Sequence, residues 1–313
     1  MTSTLSVERS KTKMEMPPGL WLAATLGSIA LLAAVNLIVA WRMDVYGVLR
    51  DPRGRELVTS DHERKAKFLL NQAYVPENFD ALIIGASASV NWYPEDLTGY
   101  RFYNESIEGG DASEERKLVE QALPRGHFKV ALVGIYPRIT GMHLLQDGFD
   151  QVSKSEALGS IGMLTIEYDD IHHRLLHVPT TSFPNGSHPA PDRPPPPADM
   201  IFGSIDLTQD PVAVADYREL VQELQVRGVR IIYFSSPLLS NYYDRNKDSF
   251  DQFTSEALQR MPPAPLIDFN APEYAAFRKD RRNFIDFVHL SDRGSATLSQ
   301  MLNTQMHRIL KDQ

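Results

Sequence analysis

From Met16 to Trp41 the chain carries no charged residue. The stretch from Leu20 to Trp41 is almost entirely apolar, broken only by Thr25, Ser28 and Asn36 among the hydroxyl and amide residues. At about 1.5 Å of rise per residue, roughly 20 apolar residues in a helix cross the hydrocarbon layer of a bilayer. Trp21 and Trp41 stand where an aromatic belt meets the two lipid–water boundaries, and Pro17-Pro18 suits a helix start. The run is longer than the apolar stretch of a usual signal peptide, and no small-x-small cleavage pattern follows it. It reads as an uncleaved transmembrane anchor over residues 17–41, behind an N-terminal tail of residues 1–16. A buried core helix and a cleaved signal peptide are the competing readings. Basic residues flank both ends (Arg9, Lys11 and Lys13; Arg42, Arg50, Arg53 and Arg55), so the positive-inside bias does not set the orientation.

The whole chain is acidic, with a net charge of −8. No basic excess is present to displace counterions from a phosphate backbone, which argues against a nucleic-acid partner. The absence of cysteine excludes disulfides, thiolate metal sites and a thiol nucleophile, so any covalent nucleophile is an oxygen or a nitrogen. No P-loop or dinucleotide-binding glycine pattern occurs, and no cofactor is expected. His173 and His177 have the i,i+4 spacing of a helical metal pair, but no acidic ligand pattern accompanies them, so no metal is expected either.

After the anchor, residues 42–78 form a polar lead segment in which Glu63–Tyr74 has the pattern of a helix packing on a domain. Short apolar runs then alternate with helical patterns. Strands are predicted at 79–85, 101–104, 128–134, 229–234 and 265–269, and helices at 111–122, 212–226 and 295–310. Buried strands alternating with helices predict a three-layer α/β domain over 79–313 with a mostly parallel sheet. An insertion at about 141–205 interrupts it. Its second part, Pro179 to Pro197 with four consecutive prolines, reads as a stiff extended loop on the surface. Asn185-Gly186-Ser187 matches a glycosylation sequon by pattern alone.

Ligands of open α/β sheets bind beyond the C-terminal strand ends, so the residues there are the first candidates. The first strand ends in Gly85-Ala86-Ser87-Ala88-Ser89. A serine between small residues in a tight turn can present its hydroxyl, and its small neighbours let backbone N–H groups approach a substrate oxygen; the same serine could simply cap a helix. The second strand runs into Asn104-Glu105-Ser106-Ile107-Glu108-Gly109-Gly110-Asp111, where glycines before a helix can offer N–H groups to an oxyanion or merely supply positive φ. Near the C-terminus, Asp286-Phe287-Val288-His289 puts a carboxylate three residues before an imidazole, a spacing that lets Asp286 orient His289 in a compact turn. Asn91, Trp92 and Tyr93 follow Ser87 closely, and Trp92 and Tyr93 could stack on a sugar ring or pack in the core.

In this order the three segments resemble the blocks of the SGNH/GDSL hydrolase superfamily, over about residues 79–310 without the insertion. The resemblance implies an SGNH-like, flavodoxin-like fold. It implies Ser87 as nucleophile, His289 as general base and Asp286 as its orienter. Gly109 is the match for the glycine of the second block, which joins the Ser87 N–H in the oxyanion hole. The sequence departs from the family pattern at three positions: Ala86 stands where Asp is usual, Ala88 where Leu is usual, and Tyr136 where the third block has an Asn that helps bind the oxyanion. Loss of one such donor costs roughly 3–4 kcal/mol of transition-state stabilisation, unless the Tyr136 hydroxyl replaces it. Asn91, Trp92 and Asn104 are the candidate substrate contacts.

With an anchor, the resemblance is to the SGNH-like proteins that add or remove acyl groups on exported envelope polysaccharides. It implies an O-acyl esterase or acyltransferase acting on an acylated polysaccharide or small ester by a Ser-His-Asp mechanism. The protein would sit in the inner membrane, with its domain in the periplasm and a membrane acyl-transfer protein as partner. A non-catalytic envelope module that binds glycan or proteins is the alternative, supported by Ala86 and Tyr136. A cytoplasmic α/β domain is a third reading.

Overall fold

The computed structural model describes residues 17–55, 57, 63–141, 165, 168, 171, 172, 176, 183–205 and 207–312. The N-terminal tail, most of the first part of the insertion, and both His173 and His177 lie outside the described residues.

Each predicted strand is present, four of them trimmed by one to three residues and the one at 229–234 shifted by one. The strands β1 (Ala81–Ile84), β2 (Phe102–Asn104), β3 (Val130–Gly134), β4 (Arg230–Ser235) and β5 (Leu266–Asp268) form one sheet in the order β2-β1-β3-β4-β5. Every pairing is parallel. The chain winds outward from β1 to β2 and then in the opposite direction through β3, β4 and β5. This is the doubly wound arrangement, with its switch point between β1 and β3.

Both sheet faces are covered, which is why the strands are apolar runs and not alternations. Leu82, Ile84, Ala131, Val133, Ile231 and Tyr233 belong to one core cluster. Their neighbours Ala81, Ile83, Val130, Leu132, Ile232 and Phe234 belong to the other. Helices α4 (Ala112–Ala122) and α6 (Pro211–Val226) pack in the first core through Val119, Ala122, Tyr217 and Leu220. Helix α10 (Asp292–Asp312) packs in the second through Leu298, Leu302 and Met306. Asp111 starts α4 with a reciprocal capping box to Glu114, and the Asp210 carboxylate accepts the first free N–H groups of α6. Between them lies the short α5 (Pro137–Thr140).

The apolar run forms helix α1 (Pro18–Met43), with an 18-residue window of mean hydropathy 2.2 and almost no surface buried against the rest of the chain. Such a helix is long and apolar enough to span a bilayer. It ends at Asp44 in a left-handed turn (φ 44°). The Asp44 carboxylate accepts the N–H groups of Val48, Leu49 and Arg50 and pairs with Arg55 at 2.7 Å. This knot places Val45 and Tyr46 against Ala66 and Leu69. Part of the segment over 42–78 packs on the domain, in keeping with the helical pattern at Glu63–Tyr74. Helices α2 (Glu63–Asn71) and α3 (Tyr74–Asn78) contribute Leu70 and Val75 to the first core, and Leu57 joins them.

Helix α2 carries Glu63, Lys67 and Asn71 along one buried face. Lys67 Nζ donates to the carbonyls of Asn104, at 2.9 Å, and Ser106, and lies 3.2 Å from Glu63. Glu63 contacts His188 Nε2 at 2.9 Å and accepts the Glu108 N–H. Burial alone would raise the Glu63 carboxyl, but His188 and Lys67 hold it down at about 2. Burial wins at Glu105, whose carboxyl is pushed up to about 7, and at Glu115, which is raised well above its usual value. Neither carboxyl group makes a hydrogen bond among the described residues.

The second part of the insertion is exposed over 191–200 apart from Pro196, as expected, but the stretch before it docks on the sheet. Asn185 O accepts the Asn104 N–H on the open edge of β2, and the His188 N–H donates to Val90 O. Gly186, at φ +83°, lies so close that a Cβ there would sit 2.1 Å from Asn104 O. Ser187 and His188 are buried. The segment covers an edge strand that would otherwise expose unpaired backbone groups.

The raised Glu105 carboxyl makes a testable contribution to stability. The folded state favours its neutral form, so the stabilisation is complete below the unfolded value of 4.5 and is lost as pH rises through about 7. Glu63 works in the opposite direction, stabilising above 4.5 and losing that contribution as pH falls towards 2. Thermal melts from pH 5 to 8 should show Glu105→Gln falling less in Tm than the wild type. Parallel curves would remove Glu105 as the cause.

Candidate active site

Gly85 ends β1 because nothing larger fits: a Cβ there would lie 2.3 Å from Ser89 Oγ. The chain then makes a tight 3-10 turn over Ser87–Ser89, in which Ala86 O accepts both the N–H and the hydroxyl of Ser89. This turn separates the two serines. Ser89 is buried and bonded to Ser106 Oγ at 2.8 Å, whereas Ser87 is only half-buried and its hydroxyl makes no hydrogen bond among the described residues.

Asn104 at the end of β2 holds the turn in place. Its side-chain N–H₂ donates to the carbonyls of Ser89, Val90 and Trp92, and its Oδ1 accepts the Ser106 N–H. It is fully buried, so it is a structural clamp and not a substrate contact. The other two candidate contacts are corrected in the same way. Asn91 is buried and donates to Leu290 O. Trp92 is 2% exposed, with its ring centroid 4.4 Å from that of Phe234 and an edge contact to Phe269, so its faces are closed to a sugar.

The loop after β2 turns at Gly109 with φ +65°, the left-handed region that favours glycine. Ser87 N–H and Gly109 N–H make no hydrogen bond among the described residues. The Gly109 carbonyl is gripped by Arg138, which donates to it from Nε at 3.1 Å and Nη2 at 2.9 Å. Arg138 was not legible as a site residue. It follows Tyr136-Pro137 in the short turn after β3, and no local pattern announces that its guanidinium reaches another loop.

Asp286 and His289 form the best-defined pair. Asp286 Oδ1 accepts the N–H groups of Val288 and His289, at 2.8 and 2.7 Å, and Oδ2 lies 2.7 Å from His289 Nδ1. Burial would raise the Asp286 carboxyl, but the His289 ring bond and the two backbone bonds outweigh it and hold the carboxyl below its ordinary value. An ionised carboxylate only accepts, so His289 Nδ1 carries a proton, and in the neutral ring the lone pair lies on Nε2. Nε2 makes no hydrogen bond among the described residues, to Ser87 or to any other group.

The two loops are bound together. Besides the Asn91–Leu290 bond, Tyr93 OH donates to Asp292, and Ala88 and Val288 share one small apolar cluster that Tyr136 borders. Tyr136 is half-buried. Its phenol is raised first by burial and then by Tyr242 and Asp286, so it stays a neutral O–H donor at physiological pH. Among the described residues no group of three or more His, Asp or Glu side chains could hold a metal ion.

The chain is similar to two solved structures. One, from Streptococcus pneumonia, is named for platelet activating factor: TM-score 0.44, 12% identity, 78% of this chain and 90% of that one covered. The other is a GDSL-like lipase from Bacteroides thetaiotaomicron: TM-score 0.41, 8% identity, 80% and 99% covered. No protein-family model and no curated protein matches the chain.

The Arg138 grip on Gly109 makes Arg138 a positioning residue for the loop. If the chain turns over an aryl ester with Gly109 N–H as an oxyanion donor, Arg138→Met lowers kcat roughly 10-fold or more with KM little changed, since a misplaced donor acts mainly on the transition state. An unchanged kcat would show that this bond does not position the site.

Proposed function

We propose that the chain is a membrane-anchored ester hydrolase or O-acyltransferase of SGNH type, acting on acyl esters of an exported polysaccharide. The observation that carries the reading is the locked Asp286–His289 pair, whose 2.7 Å bond leaves Nε2 as a base, in a loop tied to the one that bears Ser87.

In this mechanism Ser87 Oγ attacks the ester carbonyl while His289 Nε2 takes its proton. Asp286 holds the imidazole and stabilises the imidazolium. The Ser87 and Gly109 N–H groups receive the oxyanion, with the Tyr136 hydroxyl in the place of the usual Asn. His289 then protonates the leaving alcohol. The acyl-enzyme passes its acyl group to water in a hydrolase or to a sugar hydroxyl in a transferase, with His289 again acting as base. Ser87 and His289 must close to hydrogen-bond distance when substrate binds, since catalytic bonds are often long without ligand. Helix α1 keeps the domain on the membrane, where a periplasmic orientation and a membrane-bound acyl donor fit the chemistry.

Turnover of an aryl acetate by the full chain in detergent tests the reading. Ser87→Ala should abolish it, and Asp286→Asn should lower kcat by roughly 10³–10⁴-fold through loss of the correct imidazole tautomer. Wild-type turnover in Ser87→Ala would overturn the assignment. A folded wild type without turnover would favour the non-catalytic module, which the absence of a Ser87–His289 hydrogen bond among the described residues also fits.

A further inference from the structure

An open cavity of about 660 Å³ lies beyond the C-terminal ends of β3, β4 and β5. Its walls come from Tyr136, Ser235 and Ser236 after β4, Asn270 after β5, helices α7 (Ser240–Arg245) and α8 (Lys247–Arg260), and the short helix α9 (Ala275–Lys279). None of the expected triad residues lines it. Its volume is that of a small-molecule site, and this edge of a parallel sheet is where such ligands bind.

Arg278 on α9 lines this cavity and is 4% exposed. Its Nε and Nη1 have no hydrogen-bond partner among the described residues. The guanidinium packs 4.7 Å from the Tyr243 ring centroid, and its ion pair is a long one of 3.9 Å to Asp244, which is itself mostly exposed. Lys279, which also lines the cavity, is exposed and makes no hydrogen bond among the described residues, and the two remaining carboxylates of the wall are held. Asp251 is held by Tyr243 OH and Lys247, and Asp268 by Ser235 Oγ and the Asn270 N–H. The Ser240 hydroxyl is a second buried group left without a partner. A buried, always-charged guanidinium without hydrogen bonds costs folding free energy unless a ligand satisfies it. Its planar fork matches the two oxygens of a carboxylate or phosphate.

We propose that this cavity binds a ligand of about monosaccharide size that carries a carboxylate or phosphate, with Arg278 as its anchor and Ser240 as a hydroxyl contact. Tyr136, Leu238, Tyr243 and Phe250 connect the cavity to the cluster that contains Ala88 and Val288. The ligand therefore lies beside the Ser87–His289 loops without occupying them. The inference needs the cavity and not the chemistry at Ser87, so a chain without ester turnover still tests it.

Isothermal titration of the full chain in detergent with glucuronate, glucose 1-phosphate and glucose is the experiment. At least one anionic sugar should bind tenfold or more tightly than glucose. Preference for glucuronate identifies the carboxylate, and preference for glucose 1-phosphate the phosphate. Arg278→Met should lose that preference, and Arg278→Lys should keep part of it. If Arg278→Met melts early, Thr254→Trp decides. It fills the cavity from α8 with Arg278 intact and should remove binding. Equal binding of all three sugars, binding of none, or anion binding undiminished in Thr254→Trp or in a folded Arg278→Met would overturn the proposal.

Discussion

The Asn104 side chain is the joint on which the rest of the structure hangs. One buried amide closes the turn after β1 through three carbonyls and holds the start of the β2–α4 loop through Ser106. Its backbone serves two more elements. Its carbonyl accepts Lys67 from α2, and its N–H reaches Asn185 in the insertion. Four separate segments thus meet at one residue at the end of an edge strand. A buried amide that satisfies its hydrogen bonds specifies a single arrangement, and one left half-satisfied would cost more than an apolar replacement.

The charge cluster behind Asn104 follows from that arrangement. Burying Glu63, Lys67, Glu105 and Glu115 is expensive in a protein interior, and ion pairs in such places seldom stabilise by themselves. What the cluster does is mechanical. Lys67 ties down two carbonyls of the loop that leads to Gly109, Glu63 takes the Glu108 N–H, and Arg64 spans Glu114 and Glu108 O. Arg138 holds the loop from the opposite side. The Gly109 turn is therefore fixed before any ligand arrives, as an oxyanion donor must be if it is to favour the transition state. The same α2 packs on the knot at Asp44, so the N-terminal apolar helix and the loop share one support.

What the sequence revealed tracks how local each signal is. The five strands were legible because a sheet covered on both faces needs continuous apolar runs. The Asp286–His289 pair was legible because both partners lie in one turn. Trp92 stayed open between a sugar contact and the core because its neighbours are polar loop residues, while the faces that bury it, Phe234 and Phe269, are far away in sequence. The docking of Asn185, Gly186 and His188 was not legible for a related reason. It runs through backbone hydrogen bonds and a close glycine contact, neither of which leaves an apolar pattern. Lys67, Arg138 and Arg278 look like surface cations in sequence, and only the tertiary fold turns them inward.

The central claim is that Ser87 is a nucleophile activated by His289. Its most direct test is covalent: the full chain in detergent is treated with a fluorophosphonate, and the modified peptide is located by mass spectrometry. The account predicts phosphonylation at Ser87, lost in His289→Ala while Ser89 stays unmodified. A folded wild-type chain that takes no label, or takes it at a residue other than Ser87, would contradict it.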